Sequence, residues 1–161
     1  MNIGHTIENI VKFLDVKEGD SVLDLGAGTG VFSKEFIKVT KNVTALDLND
    51  KYFRKLERLG IKTVKADICE YHDGSYDLIL IANVYHHVRN ICNEKFFENL
   101  NKMSKKYVAV IDFNPKGTIF GPPKNMRIPK EKMIEEFEHH NFKILKEMNL
   151  KSRYLLLFER K

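Results

Sequence analysis

Residues 22–30 read Val-Leu-Asp-Leu-Gly-Ala-Gly-Thr-Gly, and this stretch decides the fold. The mostly apolar run before the first glycine is typical of a short buried strand. The three alternating glycines predict a tight turn whose backbone can approach a ligand closely. Phe32, Phe36 and Ile37 follow at helical spacing. The stretch therefore predicts a strand, a ligand-binding loop and a helix in succession.

The same alternation continues on both sides of this stretch. Residues 3–14 have the spacing of an amphipathic helix, and the predicted strands lie at 21–25, 42–48, 61–65, 76–82, 107–112, 142–148 and 153–159. Because helices separate most of these strands, we predict an α/β, doubly wound, mostly parallel sheet with helices on both faces. Only a few residues separate the last two strands, so these should form a hairpin that places an antiparallel strand at the sheet edge.

Composition limits the class of protein. The chain has 161 residues, 43% hydrophobic and 30% charged, which predicts one folded domain over residues 1–161. It has no apolar run of the roughly 20 residues that cross a bilayer and no signal-peptide layout, so no membrane partner is expected. Cys69 and Cys92 make neither a disulfide framework nor a zinc quartet. We expect both to be small buried residues of a cytoplasmic protein.

Charge is divided unevenly along the chain. Residues 1–80 contain 11 Lys and Arg against 13 Asp and Glu, a net −2, whereas residues 81–161 contain 16 against 9, a net +7. A basic half attracts an anionic substrate or a nucleic acid when its charges lie together. Here the basic residues are scattered along the sequence, which favours an ordinary solvated surface.

The glycine loop distinguishes between cofactors. A dinucleotide fingerprint requires Gly-x-Gly-x-x-Gly, and Val31 stands where its third glycine belongs. The phosphate-binding loop of nucleotide hydrolases is also absent, since no Gly-Lys-Ser/Thr follows. A nicotinamide-dependent oxidoreductase is therefore the least favoured alternative.

Acidic residues follow the next two predicted strands. Asp47 ends the second strand, 21 residues after Gly26, and Asp67 follows the third. The carboxyl ends of parallel strands meet at one edge, where ligands bind. At that edge Asp47 can accept hydrogen bonds from both ribose hydroxyls, and Asp67 can accept one from an adenine amino group. Each aspartate alone is an ordinary surface or capping residue, but together with Asp24 they predict a site for an adenosine-containing cofactor.

These motifs together resemble those of class I methyltransferases that depend on S-adenosylmethionine. The resemblance runs from about residue 19 to residue 88, through Val-Leu-Asp-Leu-Gly-Ala-Gly-Thr-Gly at 22–30, Ala-Leu-Asp-Leu-Asn-Asp at 45–50, Ala-Asp-Ile at 66–68 and the fourth-strand motif at 75–88. It implies a seven-stranded sheet with a reversed last strand. It also implies an enzyme that uses S-adenosyl-L-methionine and releases S-adenosyl-L-homocysteine.

The resemblance also implies where the cofactor contacts lie. Asp24 would place the amino group of the methionine part, Asp47 would hold the ribose, and Asp67 would hold the adenine. The complete set of implied cofactor-binding residues is Asp24, Gly26, Ala27, Gly28, Asp47, Leu48, Asp67, Ile68 and Asn83. No metal is expected in this site.

Two histidines follow Asn83 and are expected on the acceptor side. A sulfonium is already an activated methyl donor, so the enzyme mainly aligns donor and acceptor. A general base is needed only when the acceptor arrives protonated, and His86 or His87 could supply it or bind the acceptor. The alternative is that one of them caps or packs against the next segment. Adjacent histidines on a helix point about 100° apart, so no metal site is predicted there.

Missing motifs narrow the acceptor. Asn83 is not followed by the proline pair of enzymes that methylate amino groups of nucleic acids, and no Pro-Cys pair suits cytosine C5 methylation. The pattern is most similar to the small-molecule branch, so a small-molecule methyl acceptor is expected. The alternatives are an RNA or protein methyltransferase, and a non-catalytic cofactor-binding subunit that needs a partner to complete its lid. Only residues 114–129 and the first helix are available to cover the site.

Overall fold

One seven-stranded sheet organises the protein, whose computed structural model describes residues 3–117 and 119–161, without the side chains of residues 3–5. The strands are β1 Ser21–Leu25, β2 Asn42–Asp47, β3 Lys62–Lys65, β4 Tyr76–Ala82, β5 Ser104–Phe113, β6 Phe142–Leu150 and β7 Arg153–Arg160. The helices are α1 Ile3–Leu14, α2 Val31–Phe36, α3 Phe53–Arg58, α4 Tyr85–Met103 and α5 Lys130–Glu138.

The strands are ordered β3-β2-β1-β4-β5-β7-β6. Among the described strands only β7 runs in the opposite direction to the rest, which confirms the predicted mostly parallel sheet with a reversed last strand. Its expected position at the edge is wrong, because β7 lies between β5 and β6. Residues 154–158 of β7 are all buried, whereas β6 is mostly exposed beyond Phe142. A continuous apolar strand is more stable when neighbours and helices cover it, so the more polar β6 takes the edge.

The core has two layers, one on each face of the sheet. In β1, Leu23 and Leu25 pack in the layer that contains Phe97 of α4. Val22 points to the other layer, which contains residues of α1, α2 and α3, among them Phe36. This alternation along one strand requires both faces to be covered, and it fixes the strand register. Because β1 to β5 pair in parallel, their carboxyl ends meet along one edge.

Helix α4 is longer than the sequence pattern predicts. Helical spacing is evident from Phe96 onward, but α4 starts at Tyr85, directly after the loop that ends β4. Non-helical backbone at Cys92 (φ −146°, ψ 35°) divides it into two segments. The first segment buries only Tyr85 and Val88. Two apolar positions are too few to give a periodic signal, so the sequence reveals only the second segment.

The two cysteines are bonded to each other, which overturns the expectation that Cys69 and Cys92 are simply small buried residues. The segment after β3 lies against the middle of α4, where Asn99 Nδ2 also donates a hydrogen bond to the Cys69 carbonyl over 3.0 Å. A separation of 23 residues gives no indication of this contact. The disulfide therefore depends on a helix position that the sequence pattern does not reveal.

Candidate functional site

The glycine loop between β1 and α2 is held against the end of β2. The backbone N–H groups of Gly26 and Ala27 both donate to the Leu46 carbonyl, over 2.9 and 2.8 Å. Gly26 has a φ of +88°, and a Cβ at this position would lie 2.7 Å from Val84 Cγ2. Only glycine fits, because the backbone is left-handed and Val84 fills the space above it. The loop is therefore packed closely against the first residues after β4.

Gly28 occupies the open side of the same loop. Its φ is +57°, and a Cβ built there would meet no atom within 4 Å. Space beside a left-handed glycine is what a ligand needs in order to approach the backbone. The loop is thus packed at Gly26 and accessible at Gly28, which fits the cradle that a cofactor requires.

Asp24 lies beneath this loop and is 1% exposed. Its Oδ2 accepts hydrogen bonds from the Ser33 hydroxyl over 2.7 Å and from the Ser33 backbone N–H over 3.2 Å. Burial raises the pKa of Asp24 to about 6, and the two bonds from Ser33 oppose that rise. Among the described residues Oδ1 has no hydrogen-bond partner, so it remains able to accept one from a cationic amino group.

Asp47 stands at the end of β2, beside the open side of the loop. Its Oδ2 accepts a hydrogen bond from the Gly28 N–H over 2.8 Å, and its Oδ1 accepts one from the Asn49 N–H over 3.0 Å. These bonds fix the carboxylate while leaving each oxygen a lone pair for a further donor. The following side chain, Leu48, is 64% exposed and offers an apolar surface next to it.

Asp67 follows β3 and is exposed. Its Oδ1 accepts a hydrogen bond from the Cys69 N–H over 2.8 Å, which closes a turn around Ile68. Ile68 packs in turn against the core layer under α4. Since β3, β2 and β1 are neighbours, Asp67, Asp47 and Asp24 follow one another along the sheet edge as predicted from their positions after successive strands.

Asn83 continues this row at the end of β4. Its backbone is left-handed, with a φ of +61°, and its N–H donates to the Ile111 carbonyl over 2.8 Å. Its side-chain Oδ1 accepts a hydrogen bond from Arg153 Nε over 3.0 Å. The predicted residue therefore has a partner on β7, which the sequence does not indicate.

The two predicted histidines have different surroundings. His86 Nδ1 lies 2.8 Å from Asp112 Oδ1, and the His86 backbone N–H donates to Asp112 Oδ2 over 3.1 Å. His87 is exposed, and its ring has no hydrogen-bond partner among the described residues.

Sequence reasoning missed both Asp112 and Arg153. Asp112 lies near the carboxyl end of β5, so the rule that ligands bind at the carboxyl ends of parallel strands could have identified it. Arg153 reaches this edge only because β7 is antiparallel.

Two surface cavities lie elsewhere on the described part of the chain. One, of about 720 Å³, is lined by Thr44, Tyr71 and Tyr76 among others, and one of about 570 Å³ runs along α5. Neither includes a predicted site residue.

Comparison with known proteins identifies the family. A family model described as a methyltransferase domain matches residues 22–107, more than half of the chain. The chain belongs to this methyltransferase family. The match confirms the resemblance to class I enzymes, whose cofactor is S-adenosylmethionine. No helix among residues 3–117 and 119–161 has the length and apolar character that crossing a membrane requires.

Individual relatives differ in what they are named for. The chain is 30% identical over 101 residues to ribosomal RNA small subunit methyltransferase A of Chlamydia muridarum, which covers 58% of this chain and 36% of that protein. It is 27% identical over 141 residues to the ubiquinone biosynthesis O-methyltransferase of Hydrogenovibrio crunogenus, covering 70% and 58%. The chain thus spans less than two thirds of the length of these relatives.

A solved structure shares the whole architecture. The S-adenosylmethionine-dependent methyltransferase of Aquifex aeolicus superposes with a TM-score of 0.83 at 22% identity, over 96% of this chain and 89% of that one. At this identity the likeness establishes the common fold.

Proposed function

We propose that the chain transfers a methyl group from S-adenosylmethionine to a small-molecule acceptor. The observation that carries this proposal is the row of Asp67, Asp47, Asp24 and Asn83 on the adjacent strand ends β3-β2-β1-β4, around an accessible glycine loop. Such a row suits a cofactor that extends from an adenine to an amino acid. We further propose that residues 1–161 form one methyltransferase domain, because a single sheet uses strands from residue 21 to residue 160.

The proposed cofactor contacts follow from the free acceptors of the site. Asp24 Oδ1 would accept from the amino group of the methionine part, and the Asp47 carboxylate would accept from the ribose hydroxyls. Asp67 and the Ile68 backbone would hold the adenine. The remaining contacts are proposed at Gly26, Ala27, Gly28, Leu48 and Asn83. When bound, the sulfonium supplies an activated methyl group, so the chain's residues mainly orient the two reactants.

The distribution of basic residues supports a small acceptor. Lys105 and Lys106 stand near the amino end of β5, whereas Lys116 and Lys124 belong to the segment after its carboxyl end. These four lysines of the basic half thus lie toward opposite ends of β5. A nucleic acid would need these charges on one continuous surface.

An RNA acceptor is the second candidate, because one of the relatives above is named for ribosomal RNA. Binding of RNA through phosphate contacts weakens steeply as salt is added. RNA binding by the purified chain that falls steeply between low and physiological salt would favour this candidate over a small acceptor.

Calorimetric titration with S-adenosylhomocysteine tests the proposal, with NADH as the control. We expect micromolar binding of S-adenosylhomocysteine and none of NADH. Absence of S-adenosylhomocysteine binding would contradict the proposed site in the isolated chain. In a separate assay, methyl transfer by the isolated chain would eliminate the alternative that it is a non-catalytic subunit.

A cytoplasmic location remains a prediction from the sequence. The Cys69–Cys92 disulfide counts against a reducing compartment, where such bonds are rare. Titration of free thiols in protein taken rapidly from its native source tests this: two free thiols would support a reducing compartment, and none would count against it.

A further inference from the structure

The carboxyl ends of β4 and β5 carry a polar cluster, of which the proposed cofactor contacts use only Asn83. It consists of Asn83, His86, Asp112 and Arg153, and both the His86 ring and the Arg153 guanidinium lie beside the ring of Phe113. We infer that His86, oriented by Asp112, removes the proton from a hydroxyl of the acceptor while Arg153 binds an oxyanion of the same molecule. This inference rests on the proposed function and names its substrate class as a hydroxyl-bearing anion.

Asp112 determines which ring nitrogen of His86 carries the proton. The side chain of Asp112 is fully buried, and its oxygens accept hydrogen bonds from the backbone N–H groups of Phe113, over 2.8 Å, and His86, over 3.1 Å. A carboxylate can only accept, so the 2.8 Å contact with His86 Nδ1 requires that nitrogen to donate. Nε2 then keeps its lone pair, which is the arrangement of a histidine base held by an acidic partner.

Nε2 of His86 is available to a ligand. It has no hydrogen-bond partner among the described residues. The fully buried side-chain polar atoms of those residues that lack a partner are Asn101 Oδ1 and Ser104 Oγ, so Nε2 is not fully buried. The side chain of His86 is 12% exposed. Its helix begins directly after Val84, whose side chain packs over Gly26 of the glycine loop. The base therefore lies on the segment that contacts the proposed site of the methionine part.

Arg153 supplies a fixed cation at the same edge. Its Nε donates to Asn83 Oδ1 over 3.0 Å, and its guanidinium lies over the Phe113 ring at 4.2 Å from the centroid. Its two Nη groups have no hydrogen-bond partner among the described residues, and the side chain is partly exposed. A guanidinium held on one side presents a planar pair of donors, which matches a carboxylate or a phosphate.

The proton and electron pairs balance in this arrangement. The acceptor O–H proton moves to His86 Nε2, and the resulting imidazolium is stabilised by the Asp112 carboxylate. The oxygen lone pair forms the new bond to the methyl carbon as the carbon–sulfur bond breaks, and sulfur keeps that pair as a thioether. Solvent later removes the proton from His86.

Binding is tested first, by NMR of the histidine rings in protein saturated with S-adenosylhomocysteine. The probes are 3- and 4-hydroxybenzoate, 4-hydroxyphenyl phosphate and the uncharged ethyl esters of the two benzoates. We expect the His86 ring signals to shift with an anionic probe and not with the esters. Comparing carboxylate with phosphate distinguishes the two oxyanion sources. Arg153→Gln should weaken this binding about 10-fold or more, as expected for a charge-assisted pair. Lys143→Gln, which removes an exposed charge on β6, should not weaken it.

Transfer to the probe that binds most tightly is tested second, with isotopically labelled S-adenosylmethionine. His86→Gln should lower kcat about 100-fold or more, since general bases contribute on that order. The affinity for S-adenosylhomocysteine should stay within about twofold, because the interaction made in the transition state is lost rather than the cofactor site. His139→Gln, at the exposed end of α5, is the matched control and should keep full activity.

Asp112→Asn separates positioning from catalysis. It should move the His86 ring nitrogens toward the other tautomer in the NMR spectrum and lower kcat as well. The inference is overturned if no anionic probe shifts His86 while S-adenosylhomocysteine binds, a result that leaves the proposed function standing. It is equally overturned if His87→Gln removes the transfer and His86→Gln does not. Loss of S-adenosylhomocysteine binding in the unsubstituted chain would instead contradict the proposed function itself.

Discussion

Asp47 Oδ2 lies 2.8 Å from the backbone nitrogen of Gly28, so the end of β2 fixes the accessible side of the glycine loop. The same carboxylate is the proposed acceptor for the ribose hydroxyls. One side chain thus couples the shape of the loop to the recognition of the sugar. This coupling makes Asp47 the most informative position of the proposed cofactor site.

We predict that Asp47→Ala weakens binding of S-adenosylhomocysteine about 10- to 100-fold. The expected loss corresponds to one or two hydrogen bonds with a charged acceptor. Calorimetric titration measures it. Asp50→Ala is the matched control, because Asp50 is an exposed aspartate of the same turn whose described ion pair is with Lys65. Equal affinity of Asp47→Ala and Asp50→Ala would contradict the ribose assignment.

Gly28→Ala should affect binding more than stability. Its left-handed backbone costs an alanine about 1 to 2 kcal/mol, and no neighbouring atom adds to that cost. The new methyl group, however, projects into the space assigned to the cofactor. We expect a small shift of the urea midpoint together with a loss of S-adenosylhomocysteine binding of at least about 10-fold, a factor that corresponds to roughly 1.4 kcal/mol. Unchanged affinity would place the cofactor elsewhere.

Gly26→Ala, in contrast, should affect stability more than binding. Its Cβ would lie 2.7 Å from Val84 Cγ2, so a steric clash adds to the backbone strain. We expect a larger loss of stability than for Gly28→Ala, measured by urea unfolding. Adding Val84→Ala should recover part of that loss by removing the clash but not the strain. No recovery in the double variant would show that Val84 does not limit this position.

Asp24 gives a pH dependence of stability with a defined sign. Burial raises its pKa from 3.8 to about 6, so the folded chain holds this proton more tightly than the unfolded chain. Linkage then requires the contribution of Asp24 to the free energy of unfolding to fall as pH rises between about 4 and 6, by about 3 kcal/mol at most. Once the pH is well above 6 and the folded chain has lost this proton, its contribution is constant.

Comparison with Asp24→Asn isolates this contribution. The asparagine keeps an acceptor for Ser33 but does not titrate, so the pH trend of Asp24 should vanish while that of the other carboxylates remains. Urea unfolding at several pH values measures both chains. S-adenosylhomocysteine binding to the unsubstituted chain should strengthen over the same range, because its amino group needs the ionised carboxylate. Parallel stability profiles of the two chains would show that Asp24 does not titrate there.

Much of the fold follows from local patterns. Apolar runs bounded by glycine and acidic residues predict the strands, and the rule that parallel strand ends meet places Asp24, Asp47 and Asp67 on one edge. These features depend only on neighbouring residues and on the handedness of α/β units. They could therefore be predicted from the sequence, and the strand order agrees with them.

Other features depend on contacts between distant segments. The position of β7 inside the sheet brings Arg153 to Asn83. The apolar run at 154–158 could have indicated an interior strand, but it does not indicate which residue Arg153 reaches. The start of α4 at Tyr85 was missed because that segment buries few apolar residues. The partnership of His86 with Asp112 joins the start of α4 to the end of β5, positions 26 residues apart. Such pairs become visible only when the sheet order is known.

The Cys69–Cys92 bond joins the turn that contains Asp67 to the middle of α4. It closes a loop across a separation of 23 residues, and a bond that restrains the unfolded chain over such a loop contributes about 3 kcal/mol. We predict that Cys92→Ser lowers the free energy of unfolding by about that amount, measured by urea unfolding without reductant. The affinity for S-adenosylhomocysteine should fall as well, because the turn around Ile68 loses its covalent attachment to α4.

Reductant provides the internal control for this last prediction. Adding dithiothreitol should bring the unsubstituted chain to the stability of Cys92→Ser and should leave that variant unchanged. Cys69→Ser should behave in the same way, because either substitution removes the same bond. If reductant destabilises the variants as much as the unsubstituted chain, the effect does not come from this disulfide. Identical urea midpoints for all three chains without reductant would show that the two thiols are not joined.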